Sequence, residues 1–467
     1  SVASFRLDGG NWSETGETLS TFTATDFRID GAADFVRASF DGVSGEYRVS
    51  DVYGLQGIGG STLSGATVVI SQNIDASVTS GWTQADGSGF LPINSFNGTL
   101  SGSAGSNVIS NLFINGFGDG SNDAAFIDTI GVNGNVSNLV FNAADVRGAG
   151  AAVLAMVNDG AVSAVSVAGT VNSDGLYTGG LIAINTGTIN DSAASVGVTS
   201  NVINTENDNY IGGLVGWNTG TINRSNATGD ITVTNSALNS IINVGGLVGV
   251  EGSNFTINDS YAQGDVTVTA GSAATVYAGG LVGTIYGTVN RSYSSGAVSA
   301  SGSGTFNAAG FAGEAFGTTN GNFFDRNTSG FSTSPGAAPL DTSTFQNTES
   351  FISVGSGQGW DFATVWAPGD TGFYPVNYST SSVLLAEPDP LTVQYGLTPS
   401  AVAPGSIRGG PASYVFDDDD DTLDTSSILS SLTFSSQTVG AQTFTVDSAN
   451  LDSANGVTYR VIDRPGS

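Results

Sequence analysis

The chain contains no cysteine, no histidine and no lysine. Without cysteine it can build no disulfide, thiolate nucleophile, zinc–thiolate site or iron–sulfur cluster. Without histidine it lacks the commonest general base and the commonest transition-metal ligand. Without lysine there is no Schiff-base nucleophile and no P-loop. Positive charge is scarce altogether: eleven arginines stand against 41 acidic residues, for a formal charge of −30. A pI near 4.1 excludes a counterion-releasing grip on nucleic acid and attraction to an anionic membrane surface. No apolar run reaches the roughly 18 residues that span a bilayer, so membrane insertion is not expected.

What remains is a β-forming composition. Hydrophobic residues make up 39% of the chain, too many for a disordered acidic coil. Val, Ile, Leu and Phe recur in short alternating runs with no helical period. An acidic, lysine-free surface rich in Asn, Gly, Ser and Thr suits a secreted, extracellular or cell-surface setting. The sequence opens at Ser1 with neither Met nor an apolar leader, so any secretion signal is expected to have been removed or to lie outside it.

The dominant feature is internal repetition. Gly179-Gly180-Leu181, Gly212-Gly213-Leu214, Gly245-Gly246-Leu247 and Gly279-Gly280-Leu281 recur at spacings of 33, 33 and 34 residues, and a weaker Ala309-Gly310-Phe311 comes after 30. Each is followed by a turn, a Thr-Ile/Val-Asn step, a Ser and an apolar alternation. Gly220-Thr221-Ile222-Asn223-Arg224-Ser225 and Gly287-Thr288-Val289-Asn290-Arg291-Ser292 show the pattern. Degenerate copies extend upstream to Asn158-Asp159-Gly160 and Asn133-Gly134-Asn135. Three short strands per repeat cannot bury an apolar face alone, so the units must stack. One repeat per turn lays every strand beside its own copy about 4.8 Å away. That is an all-β, right-handed parallel β-helix, a solenoid of about nine coils.

Gly212-Gly213-Leu214-Val215-Gly216 and Gly246-Leu247-Val248-Gly249 resemble the GLUG motif of large bacterial secreted proteins of the filamentous-haemagglutinin type. Upstream, Val52-Tyr53-Gly54-Leu55-Gln56, Asn73-Ile74-Asp75-Ala76, Phe90-Leu91-Pro92-Ile93 and Phe96-Asn97-Gly98-Thr99 keep the order in which such passengers enter their helix. The resemblance runs over residues 47–385. It departs after Thr99, where Ser101-Gly102-Ser103-Ala104-Gly105 replaces the Asp-Gly-x-Gly-His stretch common in relatives. Gly359-Trp360-Asp361-Phe362, Val365-Trp366 and Tyr374-Pro375-Val376 are similar to the aromatic segment that closes such arrays. After Pro388 and Pro390 the pattern resembles the MBG-type, Ig-like repeats of bacterial adhesins, which implies a C-terminal antiparallel β-sandwich. Four parts are therefore expected: an N-terminal strand and cap region (1–46), the β-helix (47–335), its aromatic cap (336–386) and the sandwich (387–467). Such sandwiches come in tandem, so a longer parent protein is expected.

Aligning the repeats defines columns. Asn190, Asn223, Asn258, Asn290 and Asn320 share one position, which suits a stacked amide ladder. The next position reads Asp191, Arg224, Asp259, Arg291, alternating in sign, so neighbours attract at up to roughly 1 kcal/mol each where exposed. Ile222 and Ala227 are an odd number of steps apart, so a bend at Asn223-Arg224 is required for both to face inward. Tyr261 and Tyr293 share a column read as outward-facing, and Asn-x-Ser/Thr triplets such as Asn223-Arg224-Ser225, Asn254-Phe255-Thr256 and Asn258-Asp259-Ser260 are read as by-products of the Asn and Ser columns, not as glycosylation acceptors. Trp82 and Asp86 fall in an insertion-like loop. Asp417, Asp419 and Asp421, within an acidic run, are candidate Ca²⁺ ligands, set against a solvated acidic loop; no other cofactor is expected.

A polysaccharide lyase or hydrolase on a β-helix needs a cluster of carboxylates outside the columns, and no middle coil shows one, so no enzyme is expected. The expectation is a non-catalytic stalk, adhesin or fibre module whose partner is a surface glycan or protein receptor. An alternative is a filament of self-associating subunits, joined head to tail by donation of the N-terminal strand through Val2, Phe5 and Leu7. One measurement tests the charge column. Changing both Arg224 and Arg291 to Glu lines up four acids, and the thermal unfolding midpoint should fall clearly; unchanged melting would discredit the alternation.

Overall fold

The protein is described by a computed structural model. It covers residues 1–387 except 30–32, 85–86, 104–106, 118–122, 204–207, 237–239 and 272–273, and beyond 387 it covers 406–409, 432–434, 444–446 and 460–463. The chain divides into two compact units, Ser1–Pro339 and Leu340–Ser467.

The first unit is a parallel β-helix. One face is an eight-stranded sheet built from Ile93–Phe96, Ile127–Ile130, Ala155–Asn158, Ile182–Asn185, Val215–Asn218, Val248–Glu251, Val282–Ile285 and Ala312–Ala315. A second, five-stranded sheet runs Tyr177–Gly179, Asn209–Gly212, Ile241–Gly245, Thr275–Gly279 and Thr305–Ala309. The third face carries the Thr-Ile/Val-Asn strands and the alternating runs after them. Register is strict: Ile189 pairs beside Ile222, Ile222 beside Ile257 and Ile257 beside Val289. These side chains and the column Leu181, Leu214, Leu247, Leu281 and Phe311 are fully buried. Each apolar residue thus packs on its own copy, which closes a single continuous core.

The glycines mark where backbones meet. A Cβ on Gly212 would lie 2.0 Å from the Val215 carbonyl oxygen of its own coil. One on Gly213 would lie 2.2 Å from the Gly246 carbonyl oxygen of the next coil. Gly216, two residues past the Leu, has the preceding strand lying against it, with the Tyr210 carbonyl oxygen 2.8 Å from a notional Cβ. The Gly-Gly-Leu-Val-Gly signature is therefore steric: a tight corner followed by a strand that folds back onto the one before it.

The N-terminal segment differs from the expectation of a free strand. Val2–Leu7 pairs in parallel with Ala24–Ile29, with Val2 beside Ala24 and Phe5 beside Phe27. Phe5 stacks on Phe27 at 5.1 Å, and Phe5 and Leu7 pack against the core while Val2 stays exposed. Two aromatic rings and a ladder of backbone hydrogen bonds thus hold this strand on one side within its own chain, as the outer strand of a two-stranded sheet. Trp82, expected in an insertion-like loop, is buried beside Phe27 and Tyr53 at 5.0 and 5.7 Å. Asp86 lies outside the described residues. Arg37, 3% exposed, is held by Glu14, Asp51 and the Ser20 carbonyl.

The second unit begins with two short helices, Thr342–Phe345 and Thr348–Ser356. The second is capped by the Asn347 side chain accepting from the Ser350 amide. Its aromatic residues form a cluster of their own, with Trp360 4.4 Å from Trp366 and edge-on to Phe351 at 5.1 Å. Farther on, Val383–Glu387 runs antiparallel to Ser406–Gly409 but parallel to Arg460–Asp463. The expected all-antiparallel pairing is therefore corrected at this strand. Most of the expected sandwich, including Asp417, Asp419 and Asp421, lies outside the described residues.

Crowding at the corner has a direct test. Gly213→Ala pushes a methyl group into the next coil's backbone and should cost at least about 1–3 kcal/mol. Gly65→Ala enters open space and should leave the unfolding midpoint nearly unchanged; equal melting of the two variants would contradict the steric reading.

Candidate functional site

The third face turns at an equivalent residue in each coil. Asn138, Ala164, Asp191, Arg224, Asp259 and Arg291 all adopt φ between 46° and 53°, and Gly321 continues the series at 64°. Left-handed backbone is unfavourable for residues with a Cβ, so six such residues stacked in register need compensation from their neighbours. The bend falls on the Asp/Arg position, one residue after the Asn.

Three polar columns supply the compensation. On one side, the Asn amides run up the helix: Asn223 Nδ2 donates to Asn190 Oδ1 at 2.9 Å, Asn258 to Asn223 at 2.9 Å, Asn290 to Asn258 at 2.8 Å and Asn320 to Asn290 at 2.9 Å. On the other side stand Ser192, Ser225, Ser260 and Ser292, all fully buried. Each Ser hydroxyl donates to the carbonyl two residues back, at 2.8–2.9 Å. The same oxygen accepts the backbone N–H of the Ser one coil earlier, as in Ser192 N to Ser225 Oγ at 3.2 Å and Ser260 N to Ser292 Oγ at 3.1 Å. The bend takes these N–H groups out of line with a carbonyl partner, and the hydroxyl replaces it. At the bend itself, Arg224 grips Asp191 through Nε and Nη2, both at 2.7 Å, and Arg291 grips Asp259 at 2.8 and 2.7 Å. These bidentate, charge-assisted bonds raise both arginine pKa values further above their ordinary range.

A second amide ladder lies inside the helix. Asn158, Asn185 and Asn218 are fully buried. Asn158 Nδ2 donates to Asn185 Oδ1 at 2.7 Å, Asn185 Nδ2 to Asn218 Oδ1 at 2.6 Å, and Asn218 Nδ2 to Glu251 Oε2 at 2.6 Å. This ladder donates toward the C-terminus, whereas the outer one donates toward the N-terminus. It stops at Glu251, because the residue paired beyond it is Ile285. Glu251 is fully buried, and its Oε1 has no hydrogen-bond partner. Burial pushes its carboxyl well above the usual carboxylate range, against the smaller lowering effect of the Asn218 amide. Residue order alone did not reveal this ladder. Its signal was Asn-x-Gly at 158–160, 185–187 and 218–220, where Asn185 and Asn218 also donate to the Gly carbonyls at 3.3 and 3.2 Å.

The aromatic side chains distribute differently from the expectation. Tyr261 and Tyr293 are buried, 3% and 0% exposed, and stack on each other at 5.2 Å. Tyr293 Oη also accepts from Gln263 Nε2 at 2.6 Å. With their faces on each other, they are not displayed to a sugar. The accessible rings are elsewhere. Tyr286 and Phe316, 48% and 66% exposed, stack at 5.4 Å. Tyr177, Tyr210 and Trp217 form a half-buried trio with centroids 5.4–5.9 Å apart. Burial, with Asp208 accepting the Tyr210 hydroxyl at 3.2 Å, pushes the Tyr210 phenol up. Among the described residues, no three His, Cys, Asp or Glu side chains converge on a possible metal position.

Glu251 generates a pH test. Its folded pKa is raised, so above the ordinary value of 4.5 the unfolded chain loses a proton that the folded chain keeps. Stability then falls with rising pH, by up to about 1.4 kcal/mol per unit, until the folded pKa is passed. Glu251→Gln cannot titrate, so its stability advantage over the parent should grow from pH 4.5 upward in paired thermal melts. A constant difference across that range would show that Glu251 is charged in the fold.

No family model matches the chain. A segment is 34% identical over 135 residues to Halomucin from Haloquadratum walsbyi (strain DSM 16790 / HBSQ001). The match takes in 27% of this chain, and the chain spans 1% of the length of that relative. Among solved structures, a "putative immunoglobulin A1 protease" from Bacteroides ovatus aligns with 72% of this chain and 92% of its own, at 16% identity and a TM-score of 0.46. That likeness is too slight to inform function.

Proposed function

We propose that this chain is a non-catalytic structural module of the cell exterior, a stiff β-helical shaft of a secreted or surface protein, with adhesion as its role. What carries the reading is the use made of the polar side chains in the repeats. Asn, Asp, Arg and Ser in the third-face columns bond to their equivalents one coil away. They serve the stack, and among the described residues no three acidic side chains converge outside these columns for chemistry on a sugar polymer. Coil-to-coil hydrogen bonding satisfies the backbone along the length of the helix, which supports durability without disulfides. The partial likeness to a segment of Halomucin, a mucin by its name, agrees with an extracellular place.

The pairing of Val2–Leu7 with Ala24–Ile29 favours the shaft over the strand-donation filament, because the donated strand would first have to leave its own chain. A glycan or protein receptor would meet the accessible rings of Tyr286 and Phe316 or the projecting turns. The test is made on cells that produce the protein. Antibody labelling of intact cells and protease treatment of the released protein should show a surface-accessible, digestion-resistant particle. Purely cytoplasmic label would overturn the reading, as would release of reducing ends from a polysaccharide panel.

A further inference from the structure

The Asn-x-Ser/Thr triplets differ sharply once their environments are known. Asn190, Asn223, Asn258 and Asn290 use their amides in the outer ladder. A substituent on Nδ2 of Asn223, Asn258 or Asn290, each of which donates to the Asn one coil earlier, would stand where that preceding coil lies. Asn97 is exposed, but its Oδ1 lies against Gly131 and its Nδ2 donates to Ser95 Oγ at 3.2 Å.

Asn254, in Asn254-Phe255-Thr256, is placed otherwise. It is exposed, in a turn, at φ 68°. Its amide makes no hydrogen bond among the described residues. The turn itself departs from the repeat. Asn218 and Glu251 pair beside each other, as do Thr221 and Thr256. The earlier coil therefore takes three steps between these positions and this coil takes five. The two extra residues project from the shaft, where stacking places no constraint on what is attached.

We propose that Asn254 is a glycosylation acceptor, a site at which this shaft carries a covalent glycan. The inference rests on the reading of the protein as extracellular and goes beyond it by assigning a modified atom. The donor is a lipid-linked glycosyl phosphate or diphosphate. Asn254 Nδ2 forms a bond to the anomeric carbon, the bond from that carbon to the phosphate oxygen breaks with its electron pair, and an amide proton is released. Asn tolerates the left-handed turn, and the Thr256 hydroxyl completes the acceptor triplet on an accessible loop. A hydrated chain on this loop would shield a projecting turn, the kind of place where proteases cut first.

The experiment uses protein recovered from the exterior of the cells that make it. Cleavage before Asp residues releases the peptide 230–258, in which Asn254 is the only complete acceptor triplet once Asp259 is cut away. Mass spectrometry should find it heavier by one or more sugar units, with fragmentation placing them on Asn254. Thr256→Ala, which leaves Asn254 in place, and Asn254→Gln should both abolish the added mass while the melting temperature stays within a few degrees of the parent. An unmodified peptide from protein that is nonetheless found outside the cell overturns the acceptor assignment and leaves the extracellular reading standing. Protein found only in the cytoplasm overturns both. Sugar retained in Asn254→Gln moves the site elsewhere and also overturns the assignment.

Discussion

The structure depends on in-register stacking of equivalent residues, one coil apart. At that spacing every side chain meets its own kind, so each position must be self-compatible. Branched aliphatics satisfy this inward by packing, as in Ile189, Ile222 and Ile257. Glycine satisfies it at corners by occupying no volume. Asparagine satisfies it because a carboxamide is both donor and acceptor, and its hydrogen bond to a copy of itself regenerates the same unmet pair at either end. Charged residues fail the condition, since like charges would stack, and the bend column resolves this by pairing Asp191 with Arg224 and Asp259 with Arg291.

The two amide ladders illustrate how buried polar groups are managed in a repetitive core. The outer ladder sits beside a left-handed bend and donates downward. The inner one donates upward and is wholly enclosed. Chains of aligned hydrogen bonds polarise one another, and opposite directions keep the two from adding along the axis. Where a ladder ends, its last member must be a group content to accept. Glu251 does this with one oxygen and leaves the other unbonded, which is why burial drives it toward the neutral form. The coil that carries Glu251 also carries the elongated turn, so the irregularities of the array coincide.

A stack of this kind sets what is left for function. Its interior and its polar columns are committed to the next coil, and freedom remains at turns and at outward positions off the ladder. Tyr286 and Phe316, the Tyr177–Tyr210–Trp217 trio and the Asn254 turn are all of that type. The variation that matters to a partner is therefore expected where the repeat is broken, and the parts that obey the repeat hold those positions at fixed spacing.

Much of this could be read from residue order alone. The period, the Gly-Gly corner and the outer Asn column come from local pattern, because a stacked repeat writes its contacts into its own spacing. The inner ladder was hidden, since Asn158, Asn185 and Asn218 look like ordinary turn residues and their partner Glu251 breaks the pattern. Tyr261 and Tyr293 share a column whose spacing suits an outward face, yet both are buried, because burial is not a property of spacing. Val2–Leu7 has the alternation of any edge strand, and whether it pairs with Ala24–Ile29 or with another molecule is a matter of distance in space. Sequence by itself determined the period and the residue types that can be stacked. The tertiary structure alone decided which amides point inward, which hydroxyls replace lost carbonyls and which asparagine stands clear, because those depend on where the chain bends in three dimensions and not on the order of its residues.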